Sequence, residues 1–158
     1  MKIRPLEDAD VPAVIALNHE AASALSPLDY EGLSRHRAEA AHVVVCEVDD
    51  TVAAFAVAYA PGATYESINY GWHAARFDDF LYLDRIAVGG DFRRRGIATL
   101  LYDDLEARAA PRGRMVCEVN SEPPNVESLA FHRHRGYRDI GHLAQTDGHE
   151  TVMMEKPL

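Results

Sequence analysis

The sequence predicts one α/β domain built on a mixed sheet. Short apolar runs with strand character alternate with segments whose apolar residues recur at helical spacing, and Gly, Pro and Asp turn signals separate them. The 158 residues, 47% of them hydrophobic, are enough for a single buried core. No repeat, linker or low-complexity tract divides the chain.

Lys2 to Arg4 suit a short first strand, and Asp8 or Asp10 caps a helix with Pro12 in its first turn and Val11, Val14 and Ile15 on one face. A second helix is expected from about Leu28 to Ala40. His42 to Val48 and Thr51 to Ala60 form a hairpin around Asp49-Asp50, residues that tolerate positive φ, and Pro61-Gly62 breaks the second strand. Ala63 to Asp79 reads as a long connection carrying Tyr65, Tyr70, Trp72 and Phe77. Phe80 to Val88 is rich in β-formers, and from about Arg95 to Ala109 the residues Ile97, Leu100, Leu101 and Leu105 mark one helix face. Pro111-Arg112-Gly113 turns the chain into a strand over Arg114 to Asn120. Asn125 to Arg135 is a helix closed by Gly136, and Tyr137 to Ala144 pairs with Thr151 to Glu155 across Asp147-Gly148.

A formal charge of −9 disfavours a general nucleic-acid binder, because affinity for a phosphate backbone rests on an excess of Lys and Arg. Cys46 and Cys117 lie inside apolar runs and read as buried thiols of a reducing cytosol. The start Met1-Lys2-Ile3-Arg4-Pro5-Leu6 lacks a signal-peptide core, and the longest apolar run, Val52 to Ala60, is too short to span a bilayer. The expectation is a cytoplasmic protein without a membrane partner. A homodimer is left open.

The segment from Asp91 to Leu101 carries the chemistry. A loop that opens a helix leaves amide N–H groups unpaired at the positive end of the helix dipole, and phosphate suits that position. Gly96 lets the backbone approach a bulky anion, Ala98 keeps the next position small, and Arg93, Arg94 and Arg95 add charge-assisted donors; the cradle runs on through Ile97 to Thr99. Neither G-x-x-x-x-G-K-[ST] nor G-x-G-x-x-G is present. The alternative is a solvated turn before a helix.

Arg93, Gly96 and Ala98, as R-x-x-G-x-A, resemble the pyrophosphate-binding motif of the GNAT superfamily of acyl-CoA-dependent N-acyltransferases. Asn125 to Tyr137 is similar to that superfamily's later N-x-x-[SA]-x-x-F-[YH]-x-x-x-G-[FY] segment. Cys117-Glu118-Val119-Asn120 with Pro123-Pro124-Asn125 and Phe131-His132 resembles one bacterial group of predicted acetyltransferases within it. The likeness covers residues 80 to 145 closely. It implies a mixed, mostly antiparallel sheet of six or seven strands, splayed at its centre and flanked by about four helices. It also implies acetyl-CoA as cofactor, an amine as acceptor and no metal.

By the same resemblance, the backbone of Ile86, Ala87 and Val88 pairs with pantetheine. Asn120 and Asn125 hydrogen-bond the cofactor, Ser128 and Phe131 line its path, and His134 stands near its 3′-phosphate. Capping alone would explain Asn125, and core packing alone Phe131. Many relatives place a Tyr directly after the helix Phe to protonate the departing thiolate. Here that residue is His132, whose imidazolium can donate a proton.

Asp84 is the first candidate for general base. It lies two residues before Ile86 and four before Val88, so strict alternation would put all three on one face and Arg85 on the other. The alternative is salt-bridged structural polarity. Glu118 is the second candidate, with Val116 and Asn120 on its face. Tyr70 and Trp72 are expected either to line an acceptor pocket or to pack the long connection onto the domain. Three functions follow: an N-acetyltransferase for small-molecule amines, one for a protein N-terminus or lysine, and a non-catalytic acyl-CoA-binding protein.

Overall fold

Asp49 and Asp50 take φ of 48° and 59°, the left-handed pair that a two-residue hairpin requires. They join β2 (His42–Val48) to β3 (Thr51–Tyr59) in a computed structural model that describes every residue from Met1 to Leu158. The remaining strands are β1 (Lys2–Pro5), β4 (Leu81–Val88), β5 (Arg114–Glu122), β6 (Arg138–Ala144) and β7 (Glu150–Pro157). The helices are α1 (Val11–Glu20), α2 (Tyr30–Glu39), α3 (Ile68–Ala74), α4 (Ile97–Ala109) and α5 (Val126–His134). The seven strands form one sheet in the order β1-β2-β3-β4-β5-β7-β6, antiparallel throughout except for the parallel β4/β5 pair. No helix is long and apolar enough to cross a membrane.

Each face of the sheet carries its own core. On one face Val14, Leu17 and Leu33 from α1 and α2 meet Phe55, Val57, Tyr59 and Tyr82. On the other Ile97, Leu101 and Leu105 of α4 pack on Ala54, Ala56, Ala58, Leu81 and Leu83. The alanine stripe on β3 leaves room for that helix, so its apolar face is buried close to the sheet backbone.

Local chemistry explains where the elements depart from expectation. Asp10 stands at the N-cap position of α1, but its carboxylate turns back, accepting from the backbone N–H of Glu7 at 2.8 Å and from Arg4 at 2.7 Å, and closes a short 3-10 turn before the helix. α2 starts at Tyr30, where the Asp29 side chain accepts from Gly32 N–H at 2.7 Å. The long connection contains a helix: Ser67 accepts from Tyr70 N–H at 3.2 Å and starts α3, giving five helices rather than about four.

The largest departure is on β4. Val57 stands opposite Arg85 and Ala58 opposite Leu83, which makes Asp84 the extra residue of a β-bulge. The bulge reverses the alternation. Leu81 and Leu83 before it and Ile86 and Val88 after it all pack toward α4, while Tyr82 and Ala87 face the opposite core. Asp84 therefore does not share a face with Ile86 and Val88, and Arg85 is not turned away from it.

The sheet splits beside this bulge. β4 and β5 are paired only at Leu81–Met115 and Tyr82–Val116, whereas β4 stays paired with β3 as far as Val88 and β5 with β7 as far as Glu122. Beyond Tyr82 the two central strands diverge.

Candidate active site

The N-terminus of α4 follows a tight turn that leaves its first amides unpaired. Gly96 is its N-cap at φ 80° and Arg94 sits at φ 60°, so the chain curls tightly into the helix. The N–H groups from Arg94 through Thr99 donate to no protein acceptor, and none of the Arg93, Arg94 and Arg95 guanidinium groups has a carboxylate partner. A β-carbon on Gly96 would meet nothing within 4 Å, which leaves the approach to those amides open. Ile97 is buried in the core, Ala98 is half-buried and Thr99 is exposed.

Between the splayed strands and the loops beyond them lies a cavity of about 750 Å3. Asp84 and Ile86 line it from β4, Glu118 and Asn120 from β5, and Ser128 and His132 from α5, with Asn125 at the head of α5. The cleft thus gathers residues predicted from distant parts of the chain. The Asn125 side chain accepts from Ser128 N–H at 3.2 Å, so it caps α5 as well as facing the cavity. Ala87, Val88, Phe131 and His134 do not line the cavity. Ala87 and Val88 continue the open arm of β4, Phe131 packs edge-on against Tyr102 at 5.0 Å, and His134 is exposed near the end of α5.

Glu118 faces the cleft with one oxygen held and the other free. Tyr82 donates its hydroxyl to Glu118 Oε1 at 2.8 Å, while Oε2 is shut off from solvent and has no hydrogen-bond partner. Burial and the nearby Asp84 charge push its pKa up to about 8; the Tyr82 hydrogen bond and Asn69 pull the other way. Asp84 is engaged on both oxygens, accepting from the Tyr65 hydroxyl at 2.5 Å and from Arg85 Nε at 2.8 Å, with only 6% of its side chain exposed. Arg85 extends the network to the α1–α2 loop, donating to Asn18 Oδ1 at 3.1 Å and to the Ser26 carbonyl at 3.2 Å and hydroxyl at 3.0 Å.

His132 is also fixed at both ring nitrogens. Nδ1 lies 2.7 Å from the Ser128 carbonyl, an acceptor, so Nδ1 carries the proton and Nε2 accepts from the Tyr102 hydroxyl at 2.6 Å. Burial lowers its pKa below the usual histidine value, outweighing the Ser128 bond, and near pH 7 the ring is neutral.

Tyr70 and Trp72 stand away from the cavity. Tyr70 is buried among Tyr59, Tyr65, Phe80 and Tyr82 and donates to the Ala60 carbonyl at 2.7 Å. Trp72 packs on Gly141, where a β-carbon would come within 2.6 Å of the indole, and carries the Arg76 guanidinium on its ring at 3.5 Å. The same segment instead contributes Tyr65, Ser67 and Asn69 to the cavity wall. The last hairpin contributes Gln145 and Asp147. Sequence reasoning missed Tyr65, Tyr82, Arg85 and Tyr102. For Tyr82 the signal is its place two residues before Asp84; for Tyr102 no local pattern foretells a partner 30 residues away.

The acetyltransferase (GNAT) family model matches residues 10–137. The chain belongs to the GNAT acetyltransferase family. It is therefore an acyltransferase of the acetyl-CoA-dependent kind. No curated protein matches this GNAT acetyltransferase by sequence alone.

Several solved structures share its fold. The ribosomal-protein-alanine N-acetyltransferase of Brucella melitensis is 21% identical with a TM-score of 0.70, each chain covered over 100% of its length. An N-acetyltransferase of Staphylococcus aureus is 19% identical with a TM-score of 0.69, covering 99% of this chain and 97% of that one. The NatB acetyltransferase complex bound to CoA and MES is 14% identical with a TM-score of 0.77, covering 100% and 99%.

Proposed function

We propose that the protein transfers an acetyl group from acetyl-CoA to the primary amine of a small molecule, by direct attack while both are bound, with Glu118 as general base. The observation that carries this is Glu118 on the cavity wall with its buried Oε2 unpartnered, on a carboxyl whose pKa of about 8 suits proton transfer near neutral pH.

The residues at hand fit the cofactor. The unpaired amides from Arg94 to Thr99 and the free guanidinium groups of Arg93 to Arg95 hold the pyrophosphate. The β5-facing edge of Ile86 to Val88, left open where the strands diverge, and the side chains of Asn120, Asn125 and Ser128 would line the pantetheine path, with Phe131 behind Tyr102 and exposed His134 left to meet the outer phosphate. When bound, acetyl-CoA supplies an acyl group activated as a thioester. The acceptor arrives as an ammonium ion, the Glu118 carboxylate removes one proton, and the neutral nitrogen becomes the nucleophile.

Asp84, held by Tyr65 and Arg85, serves as a positioning residue and not as the base. The thiolate side of the cleft is served by the Tyr102–His132 pair. Neutral His132 has no proton to spare, and the one Tyr102 hydroxyl proton lies on His132 Nε2, so Tyr102 donates to the departing thiolate only by turning that proton from the imidazole to the sulfur.

A panel of primary amines with acetyl-CoA, followed by release of free thiol, tests the reading. Thiol release with amine acceptors is expected. Glu118→Gln should lower kcat by about 100-fold while leaving coenzyme A affinity unchanged. Thiol release at the wild-type rate in that variant would remove Glu118 as the base.

A further inference from the structure

We propose that Arg85 is a positioning residue: it holds the α1–α2 loop as a preformed wall of the cleft, so that the acceptor meets an ordered surface. This rests on the amine-acetylation reading above and adds what fixes the acceptor's side of the cavity.

The loop from Ala22 through Pro27 lines the cleft without a break. α1 and α2 pack on the face of the sheet opposite α4 and α5, so the loop between them walls the cleft from the side away from the coenzyme residues. Little in the loop itself would keep it there. No residue from Ala21 to Asp29 is buried. Its own hydrogen bonds are local: the Ala24 and Leu25 N–H groups donate to the Ala21 carbonyl, and Asn18 Nδ2 of α1 donates to the Ser26 carbonyl at 3.0 Å. Pro27 lines both the cleft and a second cavity of about 400 Å3, as Tyr65 and Arg85 do, so open space lies on both sides of this segment.

Beyond itself and α1, the stretch from Ala21 to Leu28 is hydrogen-bonded to Arg85 alone. Nη1 of Arg85 donates to the Ser26 carbonyl at 3.2 Å and to Asn18 Oδ1 at 3.1 Å, and Nη2 donates to the Ser26 hydroxyl at 3.0 Å. Its Nε is on Asp84, the bulge residue of β4, at 2.8 Å. The planar guanidinium therefore ties the end of α1 and the loop to one strand, a set of directions that a lysine ammonium on a flexible stem does not reproduce. Ordering a free loop costs backbone entropy, and a wall formed in only a fraction of molecules lowers the apparent acceptor affinity by that fraction.

Two variants test this by amide hydrogen exchange and steady-state kinetics. Arg85→Lys keeps a cation beside Asp84 and loses the fork. Asn18→Leu leaves the Asp84–Arg85 pair intact and alters a residue that lines neither cavity. In both, the amides from Ala21 to Leu28 are expected to exchange at least about tenfold faster than in the wild type, with exchange in α4 and β5 and coenzyme A affinity unchanged. For each primary amine that the wild type acetylates, the KM of the amine should rise roughly tenfold, more than kcat falls, while the KM of acetyl-CoA stays within about twofold.

Loop exchange at the wild-type rate in either folded variant would overturn the tie. A parallel rise in both KM values, or no rise for the amine, would overturn the role as acceptor wall. If Arg85→Lys does not fold by circular dichroism, Asn18→Leu decides alone. If the wild type acetylates no amine, the amine-acetylation reading fails, and loop exchange still decides whether Arg85 holds the wall.

Discussion

Glu118 shows what a single position does and does not disclose in sequence. A glutamate in an apolar run is visible at once. Its raised pKa is not, because burial, Asp84 and Tyr82 set it together and they come from two strands. Since the base must be ionised, kcat/KM should rise with pH through about 8, the pKa of Glu118. The Tyr82 bond favours the ionised form, so Tyr82→Phe should move that limb alkaline by roughly one pH unit. A pH–rate profile of that variant lying at or below the wild-type midpoint would contradict the assignment. Gly96 was more legible, because a left-handed residue before a helix leaves a strong local mark. In Gly96→Glu the β-carbon meets no neighbour within 4 Å and the left-handed backbone incurs a strain of about 1–2 kcal/mol, while the substitution places a carboxylate at the cradle. Coenzyme A affinity should fall by at least about tenfold with the fold retained, as calorimetry and circular dichroism would report together.

At the scale of elements, the hairpins and long helices were readable because turn residues and periodicity are local. α3 was not. Its seven residues include Gly71, a poor helix former, and its aromatic content suggested a packed loop; only Ser67 marks its start. The β4 bulge was also hidden, because one inserted residue changes no composition yet reverses every later side chain. That reversal turned Asp84 from an isolated carboxylate into half of a buried ion pair. α3 brings a second consequence. His73 is fully buried, neither ring nitrogen has a hydrogen-bond partner, and burial lowers its pKa to about 4. A group whose folded pKa lies below its unfolded value stabilises the fold fully above the unfolded value, and that contribution is lost as pH falls from about 6.5 toward 4. The loss amounts to roughly 3 kcal/mol at most. Melting temperatures between pH 7 and pH 4.5 should fall less steeply for His73→Phe than for the wild type. Parallel curves would show that His73 does not titrate on unfolding.

For the molecule as a whole, the order of elements was legible and the gap in the sheet was known only through resemblance. No periodicity announces that two parallel strands share just two register pairs, since pairing is decided by what lies between them. Coenzyme A binding along the gap and the cradle should stabilise the folded state by about 2.7 kcal/mol at a hundred times its Kd, a rise in Tm of roughly 6 °C. A thermal scan without a shift at saturating coenzyme would remove the cradle assignment. The gap bears on solubility as well. Beyond Tyr82 and Val116, β4 and β5 each present a row of unsatisfied backbone groups, the feature that elsewhere lets sheets dock edge to edge into aggregates. Here the two rows face each other across a wedge. Each row is backed by its own neighbour, β3 on one side and β7 on the other, so both lie inside the sheet and neither forms its outer edge.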